Sequence, residues 1–340
     1  MTPTRRALLA SVLATPAVPA AALATIAVPA TLATIAVPAI AQDWPTRPIR
    51  VVVPNAAGGA ADTSIRLISD RLTQLLGQPV VVDNRGGGGG TIAGAAVAQS
   101  APDGTTFLVD NFANVVNPLV LTGLSFDYRT SFVPVTQIMS MPMGVVVRAD
   151  LPWRTLAELI AVAKARPGTI SMGQPGNGTA AHLTLVLLQQ RAGIEFNQVP
   201  YRSGGEVTRD LLSGTLETAS AALSSALPLV RDGKIRMLAV TSRARSSVLP
   251  DAPTLEESGL RDAVIEEWFG LSAPRGTPPA IVARMAQAVA AALQAPEIRA
   301  RYAQLGAEPV GSTPEAYAAT VEATRAGIER IVREGNVQLN

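Results

Sequence analysis

Short apolar runs alternate with helix-patterned segments along most of the chain, and this alternation restricts the fold more than any other feature. Ile49 to Val53 reads as a buried strand, followed by a turn rich in glycine. The next segment repeats Ile65, Ile68, Leu72 and Leu75 at helical spacing. Asp62 is its N-cap candidate, and Gly77 stands where a left-handed C-terminal residue belongs. Val80 to Val82 reads as a strand, Thr91 to Ser100 as a small-residue helix and Thr105 to Val109 as a third strand. Such an order implies an α/β fold with a parallel sheet covered on both faces.

The pattern then restarts. Gly144 to Val147 reads as a strand, and Thr155-Leu156-Ala157-Glu158 is a capping box that opens a helix ending before Pro167-Gly168. Strand Thr169 to Met172, a glycine loop, helix Ala180 to Arg191, strand Asn197 to Pro200, helix Glu206 to Ser213 and strand Met237 to Thr241 follow. Trp268 to Ala273 reads as a strand leading back out. Thr277-Pro278 and Thr313-Pro314 are cap-plus-proline starts of two amphipathic helices.

Composition narrows the chemistry. The chain has 340 residues, room for about two domains, with no cysteine and a single histidine, His182. Thiol catalysis, disulfides, cysteine-based zinc sites and multi-histidine metal sites are therefore excluded. No nucleophile motif of the hydrolases occurs either, so the chain is not read as an enzyme, and no cofactor or metal is expected. Lys and Arg total 28 against 26 Asp and Glu; Arg5 and Arg6 are the only charges before Asp43, and without them the balance is even. No nucleic-acid partner is expected from a chain without a basic cluster.

Residues 1 to 41 begin with Arg5-Arg6, continue through an Ala/Val/Ile/Leu-rich stretch without acidic residues, and end at Ala39-Ile40-Ala41. This has the form of a cleaved signal peptide directing the chain to the periplasm, and the adjacent arginines suit the twin-arginine route as well as an ordinary leader. Pro16, Pro19, Pro29 and Pro38 argue against a membrane-spanning helix.

Two glycine loops join a strand to a helix. In the first, Asn55, Ala57, Gly58 and Gly59 precede Asp62; in the second, Gln174, Gly176, Asn177, Gly178 and Thr179 precede Ala180. Glycines permit close backbone approach, and the N–H groups and dipole of a helix N-terminus favour an anion such as a carboxylate. A tight turn with no ligand is the alternative for either loop alone. The second loop also spells G-x-G-x-x-A through Gly176, Gly178 and Ala181, with Glu195 nineteen positions after Gly176. On paper this fits a dinucleotide site, so a nicotinamide oxidoreductase is the rival reading. Export, the mid-chain position and the lack of a Cys/His/Lys constellation argue against it. Gly86 to Gly90 lacks a P-loop ending and reads as a turn; His182 reads as a scaffold residue more than a ligand contact; Glu256-Glu257 and Glu266-Glu267 read as solvated faces.

Several ordered motifs resemble the tripartite tricarboxylate transporter substrate-binding family, also called the Bordetella uptake gene family. They include Trp44-Pro45-Thr46-Arg47-Pro48, Gly58-Gly59 with Asp62, Pro79-Val80-Val81-Val82-Asp83-Asn84-Arg85 and Ala101-Pro102-Asp103-Gly104. Gly176-Asn177-Gly178-Thr179 with His182, Val199-Pro200-Tyr201, and Gly233 to Thr241 continue the similarity. The resemblance implies a periplasmic binding protein fold of type II, two α/β lobes joined by two crossover strands with the ligand cleft between them. Residues 42–142 plus 268–340 would form lobe 1 and residues 143–267 lobe 2, with crossovers near Pro142 to Val145 and Glu266 to Phe269. By the same resemblance, the two loops grip one carboxylate from both sides, partly through water, and a monomer delivers it to a large and a small integral-membrane subunit. A sensor presenting its ligand to a signalling receptor is the runner-up. The expected ligand-binding residues are Asn55, Ala57, Gly58, Gly59, Asp62, Asn111, Gln174, Gly176, Asn177, Gly178, Thr179 and Tyr201, with Phe112 and Trp268 as further aromatic candidates. Asn55, Ala57 and Gln174 depart from the family's usual residues, which leaves the carboxylate unnamed.

Overall fold

The computed structural model describes residues 44–335; the expected leader, residues 1–41, lies outside them. The first half runs β1 (Ile49–Val53), α1 (Ala60–Leu76), β2 (Val80–Asn84), a 3-10 turn at Gly88–Gly90, α2 (Thr91–Ala98), β3 (Thr106–Asn111) and α3 (Phe112–Val120). A long strand, β4 (Phe132–Arg148), leads to α4 (Leu156–Ala165), β5 (Ser171–Pro175), α5 (Ala180–Ala192) and β6 (Asn197–Tyr201). Then come α6 (Gly204–Ser213), β7 (Thr218–Ala222), α7 (Leu223–Arg231), β8 (Ile235–Val240) and β9 (Glu266–Pro274). The chain closes with α8 (Pro279–Ala292), α9 (Pro296–Gln304), β10 (Glu308–Pro309) and α10 (Pro314–Gly335).

Local signals act as the sequence suggests at most helix ends. Gly77 ends α1 in the left-handed region at φ 73°, and Thr155 with Glu158 forms the capping box of α4. Asp62 differs. The N-cap of α1 is Gly59, and Asp62 lies inside the first turn, where its carboxylate reaches back to accept the Gly58 N–H.

β1 pairs in parallel with β2 and β3, and β9 runs antiparallel to β3. On the other side, β5 pairs in parallel with β6 and β7. β4 serves both groups. Its residues Phe132 to Pro142 pair with β9, whereas Met143 to Arg148 pair with β7 and β8. The hydrogen-bonded path therefore runs unbroken from β2 to β6 through one 17-residue strand, instead of through two separate sheets. Register shifts at Pro134/Thr136, Gln137/Met139 and Val145/Val146 let that strand bend between its two sets of partners.

One core gathers α1, α8 and α9 against β1, β3 and the first part of β4, and another packs α4 and α5 against the second part. A third lies under α6 and α7. The last helix departs from the expected grouping of residues 268–340. Tyr317, Ile328 and Ile331 of α10 pack in the same core as α5, and the Gln190 side chain donates to the Ile331 carbonyl at 2.9 Å. The apolar stripe of α10 continues onto α3 and β9, with Tyr317 edge-on to Trp268 at 5.6 Å. α10 thus straps both groups of strands.

Candidate functional site

Parallel strands deliver the N-terminus of each following helix to the same edge of a sheet, and here those ends converge on one cavity of about 580 Å³. Gly59, Ala60 and Ala61 bring the start of α1, Asn111 and Phe112 that of α3, and Gly178 to Ala181 that of α5. Gly204 of α6 and Ala222, Ser224 and Ser225 of α7 complete the set, so the N-termini of five helices reach the cavity wall. The floor is Met141, Met143, Glu267 and Phe269, from the crossing of β4 and β9. No Lys or Arg lines the cavity among the described residues, so its positive potential comes from helix ends.

The two glycine loops are built differently. In the first, buried Asp62 accepts the Gly58 N–H at 2.9 Å, the Arg66 guanidinium at 2.8 Å and the Asn84 amide at 2.9 Å. Asn84 also donates to the Asn55 carbonyl, tying β2 to the loop. Burial alone would raise the Asp62 pKa, but the hydrogen bonds from Arg66, Gly58 and Asn84 outweigh it and hold the carboxyl below its ordinary value. α1 has no side-chain cap, and neither have α3 and α7.

In the second loop the Gly178 N–H donates to His182 Nδ1 at 3.1 Å, which puts the imidazole proton on Nε2. Burial lowers the His182 pKa, with a hydrogen bond to Gln198 opposing it, so a neutral scaffold histidine results. The Thr179 hydroxyl accepts from the His182 N–H and donates to the Gly176 carbonyl at 3.0 Å.

Asn55, Gly59, Asn111, Asn177, Gly178 and Thr179 line the cavity, as does Phe112. The other expected residues do not line it, each for a local reason. Ala57 is exposed, and Gly58, at φ 82°, gives its N–H to Asp62. Gly176, also at φ 82°, shapes the turn and accepts from Thr179. Gln174 is enclosed within β5, Tyr201 donates its hydroxyl to Asp210 at 2.9 Å, and Trp268 is buried on the far face of β9. Asp62 supports the loop from behind.

Sequence reasoning missed the α6 and α7 starts, Ser220 and Glu267. Glu266-Glu267 is not a solvated face. Strand alternation puts Glu267 on the same side as Phe269, into the cavity, while Glu266 turns away toward Arg243. Period two along Glu267-Trp268-Phe269 was the available signal. Burial pushes the Glu267 carboxyl up to about 7, against a hydrogen bond from the Phe112 N–H. The dinucleotide reading also fails on geometry. Glu195 precedes β6, whereas the glycine loop follows β5, and the two strands are parallel, so acid and loop sit at opposite ends, roughly 16 Å apart for five-residue strands.

Comparison with known proteins decides the family. Residues 64–337 match the model of the tripartite tricarboxylate transporter family receptor. The chain belongs to this receptor family. BugT of Bordetella pertussis is 35% identical over 280 residues, covering 82% of this chain and 86% of its own. Rpa4515 of R. palustris, solved with adipate, is 36% identical with a TM-score of 0.75, covering 86% of this chain and 99% of its own. MatC of Rhodopseudomonas palustris, solved with bound malate, is 30% identical with a TM-score of 0.68, covering 86% and 100%. The receptor has the periplasmic binding protein fold of its relatives, and its family is one of solute-binding proteins that take carboxylates.

Proposed function

We propose that this receptor captures a small carboxylate in the cavity at the crossing of β4 and β9 and passes it to a tripartite transporter made of a large and a small integral-membrane subunit. The observation that carries the reading is the convergence of five helix N-termini on a cavity that no Lys or Arg lines among the described residues. Backbone N–H groups at the starts of α1 and α5 act as two jaws on one carboxylate, those that follow Gly59 on one side and those of Thr179 and Ala180, which follow Gly178, on the other. Hydrogen bonds to a charged group contribute about 1.5–3 kcal/mol each, so three or four reach the roughly 8 kcal/mol of micromolar binding. Residues 44–142 with 268–313 form one lobe and 143–267 the other, hinged where β4 changes partners, and α10 links them. Residues 1–41 act as a cleaved export signal to the periplasm, and the mature chain works as a monomer.

A thermal-shift screen of carboxylates beside their methyl esters tests this. An acid at 100 times its Kd is expected to stabilise the fold by about 2.7 kcal/mol, and its ester to leave the melting point unchanged. Equal stabilisation by acid and ester would sink the two-jaw reading.

A further inference from the structure

A second cavity, of about 400 Å³, lies on the other side of β9 from the first. Alternation along the strand divides the two: Glu267 and Phe269 line the front cavity, Glu266 and Trp268 the rear one. The last helix, α10, forms another wall of the rear cavity through Thr320, Thr324, Gly327, Ile328 and Ile331, a stripe about 16 Å long. The return from β8 to β9 closes it with Arg243, Glu256, Asp262 and Ile265.

Two features of this cavity find no explanation in the packing around it. Gly327 stands inside a 22-residue helix, where glycine costs about 1 kcal/mol relative to alanine. Close approach of a neighbour ordinarily accounts for such a glycine, as the Tyr317 ring does for Gly270 on β9. Against Gly327 a Cβ would meet nothing within 4 Å outside its own turn of helix. The second feature is charge. Arg243, Glu256, Asp262, Glu266 and Arg330 all line the cavity, yet among the described residues none of them comes within 4 Å of an opposite charge. Arg243 and Glu266 still act on each other, through the Arg243 N–H and charge. That leaves Arg330 for an anion, and Glu256 and Asp262 for a cation.

We propose that the rear cavity is a second binding site, for a zwitterionic α-amino acid whose apolar side chain lies over Gly327, with its carboxylate toward Arg330 and its ammonium group toward Glu256 and Asp262. A simple anion meets three acids in this cavity and a simple cation meets two guanidinium groups, so a ligand that carries both signs suits the lining better than either. The apolar part of the wall, Ile265, Trp268, Ile328 and Ile331, calls for a hydrocarbon side chain between the charged ends. The space over Gly327 admits it, and any side chain on the helix at that position would take its place. This site is independent of the carboxylate reading of the front cavity, with which it shares none of these residues.

Calorimetry on the full mature chain tests the assignment with L-leucine, L-methionine and L-phenylalanine, each beside its N-acetyl form and its amide, and with glycine. At least one of the three amino acids is expected to bind tenfold or more tighter than its N-acetyl form, its amide and glycine. Gly327→Leu, which fills the space, should abolish that binding, and Arg330→Ala, at an exposed position that folding does not need, should weaken it at least tenfold. Circular dichroism confirms that both variants are folded. Failure of all three amino acids to bind, equal binding of an N-acetyl form or an amide, or unchanged binding in Gly327→Leu and Arg330→Ala overturns the assignment. The carboxylate reading of the front cavity stands or falls separately, on the screen of acids beside their esters.

Discussion

The two glycine loops at the cavity wall occupy corresponding places after parallel strands, yet one is held by charge and the other by a neutral ring. Behind the first, Asp62 collects an N–H, a guanidinium and an amide, and the leading N–H groups of α1 carry no side-chain cap. Behind the second, His182 and Thr179 absorb the Gly178 N–H and one N–H of α5. The difference teaches that similar glycine motifs offer unequal donor capacity. The first loop has more left to give to an anion, and the second depends on a titratable ring whose pKa burial lowers.

The largest effect separates the loops directly. A Cβ on Gly59 would stand 3.3 Å from the Ala56 carbonyl, and the branches of valine would enter the cavity over the α1 donors. Gly59→Val is expected to cost about 100-fold in affinity, roughly 2.7 kcal/mol. Gly178, at φ 71°, tolerates valine poorly in its backbone, so Gly178→Val should lower stability by about 1–3 kcal/mol and affinity by about tenfold. Calorimetry with the best acid from the screen, on variants shown to be folded, checks the order. A greater affinity loss in Gly178→Val would reverse the comparison.

Next in size is the support behind the first loop. Asp62→Asn keeps the shape but removes the charge that Arg66 and the Gly58 N–H meet, and should cost about 2 kcal/mol in urea unfolding at neutral pH. His182→Asn, which retains an acceptor near Gly178, should cost less than half as much. Equal losses would mean that charge is not what distinguishes the loops.

Both loops were legible because glycine, a strand before and helical spacing after are all local signals. What escaped was non-local. The first part of β4, Phe132 to Pro142, mixes proline, Gln137, Thr136 and methionines, and is buried on both faces over much of its length, so it shows no alternation to read. β7 is a run of small residues, Thr218 to Ala222, whose strand identity comes from β4 and β5 on either side. The Asp62 side chain suits a cap by type; only the positions of Arg66 and Asn84 turn it inward. Glu267 suits a solvated face by type and by its acidic neighbour, and only the pairing of β9 with β4 turns it inward.

A pH shift sharpens the same contrast. The lowered Asp62 carboxyl gives stability present above its unfolded pKa, about 3.9, and lost only as pH falls through the lower folded value. The lowered His182 pKa gives stability complete above about 6.5 and lost as pH falls from there toward the folded value. Glu267 acts oppositely, since its raised pKa costs stability as pH rises from about 4.3 toward about 7. Subtracting His182→Asn from wild type removes the Glu267 contribution. Between pH 7.5 and 5.5 the wild type should lose stability relative to His182→Asn, and a flat difference would show that His182 does not couple the second loop to pH.

The smallest effect concerns Thr179, which lines the cavity but spends its hydroxyl inside the loop. It accepts from the His182 N–H at 3.2 Å and donates to the Gly176 carbonyl at 3.0 Å, so the cap and the turn share one oxygen. Valine preserves the branched shape and removes both bonds. Thr179→Val should therefore cost about 1 kcal/mol of stability, the ordinary loss of a threonine cap, while affinity stays within about threefold. Thr179→Ser should recover the stability, because the bonds need the hydroxyl and not the methyl. Should affinity fall tenfold with stability unchanged, the hydroxyl turns to the ligand on binding, and the second loop grips with a side chain as well as its backbone. Since the first loop has no side-chain cap to redirect in this way, that outcome would make the two jaws unlike in chemistry as well as in strength.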